Sequence, residues 1–179
     1  GEHVETTGTE IKAYTPSATG MRNSVTKADV LTLMTMFNNQ DIPQEGRYLL
    51  LDSHMYSQLL NDLTANENSA FLASANAQQG VMGKLYSFNI MTRSRVGLYT
   101  GSGVAKRWSA DGAATDIAAG LAWYEQSVCR ALGEVVAYEK ENDPTYYGDI
   151  YSFLVRAGGR IMRNDKKGVI ALVQGTPTV

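Results

Sequence analysis

The chain has 179 residues, 44% of them apolar and 19% charged, with a formal charge of −2 at pH 7. That length and apolar fraction suffice for one domain, or two small ones, with its own core, and they exclude disorder over the whole chain. No apolar run approaches the roughly 20 residues of a membrane-spanning helix, a lone Cys129 makes no disulfide framework, and two histidines give no basis for a structural zinc site. Residues 1–90 carry five Lys/Arg against nine Asp/Glu, and residues 91–179 eleven against nine. Neither half has the basic excess of a dedicated nucleic-acid binder. The sequence opens on Gly1 in place of Met and carries no basic-then-apolar leader, which reads as a processed product or a trimmed piece of a longer protein.

Residues 1–25 are rich in Thr, Gly and Glu and lack a sustained apolar period, so a flexible lead-in is expected there, with a short extended piece over Glu10–Tyr14. A helix follows over 26–38. Thr26 is its cap, Asp29 sits at the third helical position, and Val30, Leu33, Met34 and Phe37 recur at helical spacing. After the Pro43–Gly46 linker, the apolar run Arg47–Leu51 suits a buried strand, and Asp52 is placed to cap a helix bearing Met55, Leu59, Leu60 and Leu63. A short helix is expected through Ala70–Ala75, and a strand over Lys84–Arg93 with a bulge or bend near Ser87.

Residues 96–120 read as a long glycine-rich loop or flap, a length that in a compact domain is usually functional or mobile. Leu121–Gly133 resumes a helical period, Val135–Tyr138 suits a short strand, and Tyr146–Val155 fits either helix or strand until Gly158-Gly159 breaks it. Arg160–Arg163, the turn Asn164–Gly168 and Val169–Val173 read as a closing hairpin, and residues 175–179 as a tail. The class is α+β.

No residue set assembles a catalytic or metal site. Asp52, Ser53 and His54 have the residue types of a hydrolytic triad, but consecutive side chains at a helix start point apart, and a helix cap accounts for them. The loop Gly101–Lys106 lacks the spacing of a phosphate-binding loop and is followed by Arg107-Trp108 without a helix start. Cys129, without a histidine partner, reads as a small buried hydrophobe. Glu139, Glu141 and Asp143 match no calcium-loop spacing. The one basic cluster is Arg156, Arg160, Arg163, Lys166 and Lys167, and half of the ten tyrosines lie at Tyr124, Tyr138, Tyr146, Tyr147 and Tyr151. That combination suits a solvated face, a polyanion contact or a protein interface.

Taken in order, several segments resemble the C-terminal portion of tailed-phage major capsid proteins of the HK97-type fold, as seen in podophage-like and crAss-like phages or prophages. The helix from Thr26 leads into Ile42-Pro-Gln-Glu-Gly-Arg47, similar to the family's proline-to-arginine approach to an apolar strand. Asp52 and Tyr56-Ser-Gln-Leu59-Leu60 follow in the family's manner. Gly80-Val-Met-Gly83 through Phe88-Asn-Ile90 is similar to the family's "G-x-x-G-x-x-x-G-F-x-V", with Ser87 where glycine is usual. Gly120–Val128, Tyr147-Gly-Asp149, Arg156-Ala-Gly-Gly159, Arg163 and Gly168–Leu172 are similar to the closing segments.

The resemblance implies a non-enzymatic shell protein without cofactor or metal, with an A domain and part of a P domain over residues 26–174. Its implied partners are copies of itself in pentamers and hexamers, packaged double-stranded DNA by weak local contact, and scaffolding or portal proteins; no membrane partner is implied. Its implied location is the virion, with the host cytoplasm during assembly. The loop 96–120, with Tyr99, Lys106, Arg107 and Trp108, becomes a candidate inter-subunit contact. Arg156, Arg160, Arg163, Lys166 and Lys167 become candidates for inter-subunit salt bridges or DNA contact. A cellular nanocompartment shell of the same fold would differ in cargo. The rival expectation is an α+β ligand-binding or enzymatic domain using the glycine loop 101–106.

Overall fold

The computed structural model describes residues 2–177. Helix α1 spans Lys27–Asn39, and the Asp29 carboxylate accepts from the Thr26 N–H at 2.8 Å, closing the capping box that the sequence signals. Strand β4 (Arg47–Asp52) ends where the Asp52 carboxylate takes the Met55 N–H at 2.7 Å, and α2 (Ser53–Asp62) starts there. Helix α3 occupies Ala65–Ala73, beginning earlier than expected because Thr64 and Glu67 form a second capping box.

The expected lead-in carries three short strands, β1 (His3–Glu5), β2 (Glu10–Lys12) and β3 (Met21–Asn23). It is tied down, not loose. β1 pairs in parallel with β13 (Val169–Val173), the Thr6 N–H bonds the Val173 carbonyl at 2.9 Å, and the Thr7 hydroxyl bonds Asp29 at 2.7 Å. Of the expected tail, Gly175 is held by Thr6 and Asn23, while Thr178 and Val179 lie outside the described residues.

The expected strand 84–93 is a hairpin. β5 (Gly83–Leu85) turns through Tyr86 and Ser87, both at positive φ, into β6 (Phe88–Arg93). Two consecutive left-handed residues between paired strands make a two-residue turn whose twist matches the hairpin. The long loop shrinks to 100–116, because β7 (Gly97–Tyr99) and the start of β8 (Ile117–Tyr124) pair with each other.

The helix expected over 121–133 does not form. Its first half completes β8, and after a turn Val128–Leu132 becomes β9. Nor does the closing hairpin form: β12 (Ala157–Ile161) pairs with β9, and β13 pairs with β8. Gly158 and Gly159 lie inside β12 instead of ending an element. β10 (Val136–Asp143) and β11 (Gly148–Leu154) are antiparallel partners, and the Gly133 N–H bonds the Arg156 carbonyl at 2.8 Å between the two pairs. Residues 128–161 therefore make one long antiparallel ribbon.

The main sheet has the order β1-β13-β8-β4-β6-β5, with β7 beside β8. One face carries Leu49, Leu51, Ile90, Ala118, Ala122, Ile170 and Leu172, and onto it pack Val30, Leu33 and Phe37 of α1 with Met55 and Leu59 of α2. Ile117, Ala119, Ala171 and Val173 form a small second cluster. Arg47 is wholly buried in the main core, donating to the Pro43 and Ile42 carbonyls, Asn38 and Ser87, with its guanidinium over the Phe37 and Phe88 rings.

Candidate functional site

The sheet presents two distinct features at its two ends. β8 runs antiparallel to β4, with Arg47 opposite Tyr124, so the ribbon leaves from the end where β4 begins. The loop 100–116 leaves from the other end, beside the start of β8.

The loop is built by short-range bonding. The Thr100 N–H donates to the Val104 carbonyl at 2.8 Å, the Thr100 carbonyl accepts from the Gly103 N–H at 2.9 Å, and the Lys106 N–H returns to the Leu98 carbonyl. Gly101–Lys106 is thus a turn folded back on β7, with no helix behind it and no cradle for a phosphate. Lys106 itself points inward, donating to Asp116 at 2.7 Å and to the Asp111 carbonyl at 2.8 Å. Arg22 anchors the far side by donating to the Ala114 and Asp116 carbonyls.

Of the sequence candidates on this loop, Tyr99 is half-buried against the second cluster, and burial pushes its phenol above its ordinary value. Arg107 and Trp108 are exposed. Trp108 is 58% accessible and lies under two guanidinium groups, Arg95 at 5.2 Å and Arg93 at 5.9 Å from the ring centroid. Cationic stacking on an exposed indole is worth roughly 0.5–1 kcal/mol. Sequence reasoning singled out Trp108 but missed Arg93 and Arg95, which sit at the end of β6 and just beyond it.

Arg156 and Arg160 are exposed on the ribbon, Arg163 is paired with Asp165 at 2.7 Å, and Lys166 and Lys167 lie in the turn before β13. Arg160, Arg163 and Lys166 line one shallow groove.

The sequence signals for the ribbon were the strand expected at Val135–Tyr138, which lies in β10, the helix-or-strand segment Tyr146–Val155, which holds β11, and a tyrosine excess. Tyr138, Tyr146, Tyr147, Tyr151, Phe153, Leu132, Val135 and Val155 are all exposed on it. Cys129, expected to be buried in a helix, is exposed on β9. A monomer rarely leaves so many large apolar and aromatic side chains of one element in water unless something covers them. Asp52 serves as the α2 cap and hydrogen-bonds Tyr14 at 3.0 Å, while His54 stacks on the Tyr14 ring at 4.2 Å; no nucleophile–base chain links Asp52, Ser53 and His54.

No family model and no curated protein matches the chain. Among solved structures it is similar to the capsid of Ralstonia phage GP4, with TM-score 0.63 and 17% identity over 98% of this chain and 53% of that one. It is similar to the capsid structure of the Cyanophage P-SCSP1u, with TM-score 0.53 and 17% identity over 96% of this chain and 53% of that one. A chain from Mycobacterium phage Che8 matches with TM-score 0.52 and 14% identity, over 92% and 53% of the two lengths. The chain spans about half the length of the solved structures it matches. Its α+β fold, as expected from the sequence, is the fold of these phage capsid structures.

Proposed function

We propose that this chain is the A domain with part of the P domain of a phage head shell protein, which assembles with copies of itself into capsomers that enclose double-stranded DNA. The observation that carries this reading is a shared fold over nearly the whole chain with two phage capsid structures. The ribbon 128–161 supports it independently. A two-stranded ribbon is marginal alone in water, and one with apolar side chains on display suits heterologous contacts that close by symmetry.

Within this reading the helix-covered sheet is the A domain and the ribbon supplies P-domain strands. The loop 100–116, with Arg107 and Trp108, contacts the neighbouring copy near a capsomer axis. Arg156, Arg160, Lys166 and Lys167 form inter-subunit salt bridges or touch packaged DNA weakly. Scaffolding and portal proteins are further partners. The protein works without enzymatic chemistry or cofactor, in the virion after assembly in the host cytoplasm.

The glycine-loop alternative is not favoured, since Lys106 is spent on Asp116 and the loop folds onto β7. The test is expression of the complete reading frame that encodes this chain, followed by electron microscopy. Rings or closed shells are expected; a product that stays monomeric at high concentration and with scaffold present overturns the reading.

A further inference from the structure

We propose that the Arg93, Arg95 and Trp108 cluster at the loop end of the sheet docks onto the acidic, aromatic face of the ribbon of another copy of this chain. This contact rests on the shell reading and names what the loop meets on the neighbouring copy.

The loop end is basic without compensation of its own. Residues 93–108 include Arg93, Arg95, Lys106 and Arg107 and no carboxylate. Lys106 is taken by Asp116, but among the described residues no carboxylate comes within 4.0 Å of the three arginines. Asp52, level with Arg93 in the β4–β6 register, is buried and accepts from the Met55 N–H and the Tyr14 hydroxyl, so its carboxylate is engaged elsewhere. The exposed Trp108 ring, with the Arg95 and Arg93 guanidinium groups beside it, offers flat apolar area and unpaired positive charge together. Trp and Arg are the side chains that most often carry the binding energy of a protein interface.

The ribbon carries the complement. Residues 136–154 include Glu139, Glu141, Asp143 and Asp149 and one cation, Lys140, whose ammonium pairs with Asp143. The register sorts them by face. Tyr151 is opposite Glu139 and Phe153 opposite Ala137, and alternation along β11 puts Asp149 on that same face. Lys140 is opposite Ile150 on the other face. One face therefore holds Glu139, Asp149, Tyr151 and Phe153, all exposed, with no cation among them. The Asn142 N–H donates to the Asp149 carboxylate at 2.9 Å and holds it at the ribbon surface.

Within one chain the two surfaces stay apart. The six residues of β4 set the ends of the sheet roughly 16 Å from each other, and the ribbon leaves from one end and the loop from the other. Between copies they meet head to tail, the heterologous contact that closes into a ring or runs on as an open chain. The Tyr151 and Phe153 rings give area for the indole, and Glu139 and Asp149 give acceptors for the guanidinium forks. Duplex DNA fits less well, since three free arginines neutralise few phosphates and a closed duplex has no free base for the indole to stack on.

The test uses the complete protein in two charge-reversed forms, Arg93→Glu/Arg95→Glu/Arg107→Glu and Glu139→Arg/Asp149→Arg. Sedimentation velocity at low and high salt and electron microscopy are the readouts. Wild type is expected to associate, and to associate less as salt screens the contact. Each reversed form alone should need at least a tenfold higher concentration to associate, because like charges then meet, and an equimolar mixture of the two should restore association. A mixture no better than its components, or a reversed form that associates like wild type, overturns the contact. DNA-duplex binding that the arginine variant loses, with association unchanged, assigns the cluster to DNA instead. Should a reversed form fail to fold, Ser109→Cys and Ala137→Cys, each in a Cys129→Ser background, leave both surfaces intact. Oxidation is expected to cross-link their mixture and neither variant alone, and a mixture that stays uncross-linked overturns the contact. The shell reading fails separately. Salt-sensitive open chains without rings or shells overturn that reading and keep this contact, whereas shells that survive both reversals keep the reading and overturn the contact.

Discussion

The Lys106 ammonium lies 2.7 Å from Asp116, and this one pair ties the interior of the 100–116 loop to its far end. Asp116 is almost wholly buried, and it also accepts the Ala113 N–H, so the carboxylate gathers both arms of the loop. Burial alone raises its pKa, but the hydrogen bonds from Lys106 and Ala113 outweigh this and hold it below the ordinary carboxylate range. The unfolded chain therefore takes up the proton first as pH falls.

Asp116→Asn is expected to lower stability by about 1–3 kcal/mol at pH 7, the cost of leaving a buried charged donor short of its partner. Urea unfolding across pH checks the sign. The pair's contribution is complete above the ordinary aspartate value, about 3.9, and is lost as pH falls through the lower folded value. The gap between wild type and variant should close over that acid interval and stay constant at higher pH.

Arg47 gives a sharper case, because its charge is buried without a carboxylate. Four acceptors around it, the Pro43 and Ile42 carbonyls, Asn38 and Ser87, replace water. Arg47→Met keeps much of the apolar stem but strands those acceptors, and a loss of about 3 kcal/mol or more is expected. Arg47→Lys should recover only a minor part, since one ammonium cannot reproduce the spread of a planar guanidinium. Denaturant midpoints at pH 7 for the two variants decide this. Equal midpoints for wild type and Arg47→Met would contradict it.

The turn at Tyr86-Ser87 sets two effects against each other at one residue. Both residues have positive φ, at 45° and 69°, which costs a non-glycine residue roughly 1–2 kcal/mol. Glycine at 87 would remove that strain, and it would also remove the hydroxyl that Arg47 bonds at 3.2 Å. A bond to a charged donor is worth about 1.5–3 kcal/mol, so Ser87→Gly is expected to be neutral or mildly destabilising. Tyr86 has no such bond, and Tyr86→Asn should stabilise by about 0.5–1 kcal/mol. Thermal melts of the two variants should move apart, the Asn variant upward.

That turn also marks where the sequence could be read and where it could not. Elements bounded by chemistry of their own were legible: Thr26 with Asp29 starts α1, Asp52 starts α2, and Arg47–Leu51 is a strand buried at alternate positions. Ser87 showed a break in alternation, but only its φ separates a bulge from a hairpin turn. The stretch 121–133 misled because Trp123, Ser127, Cys129-Arg130 and Leu132 can be set around a helix by chance, whereas the strand alternation is blurred where neither face of the ribbon meets a core. Gly158-Gly159 misled for the same reason. With nothing within 4 Å of an added Cβ at Gly158 and only the Cys129 carbonyl, at 3.5 Å, near one at Gly159, these glycines interrupt no packing. The Arg95–Trp108 stacking had no sequence signal, since the two residues meet only once β7 turns back.

The ribbon allows the shell reading to be tested against a purely structural role for the same side chains. Tyr151 faces Glu139 and Phe153 faces Ala137 across β10 and β11, so these four share one face. Tyr151 and Phe153 are 60% and 72% exposed, and their contacts within the chain amount to cross-strand pairs worth roughly 0.2–1 kcal/mol each. Replacing a buried aromatic by a small residue costs about 3–5 kcal/mol. The double variant Tyr151→Ser/Phe153→Ser is therefore expected to cost about 2 kcal/mol or less in this chain, read from urea unfolding. In the complete protein the same pair of changes should reduce assembly into rings or shells, counted by electron microscopy at equal protein concentration. A large stability loss with intact assembly would place these side chains in the chain's own core. Small loss with impaired assembly is the pattern of surface held for a neighbour, because only then does the energy of covering them appear when copies meet.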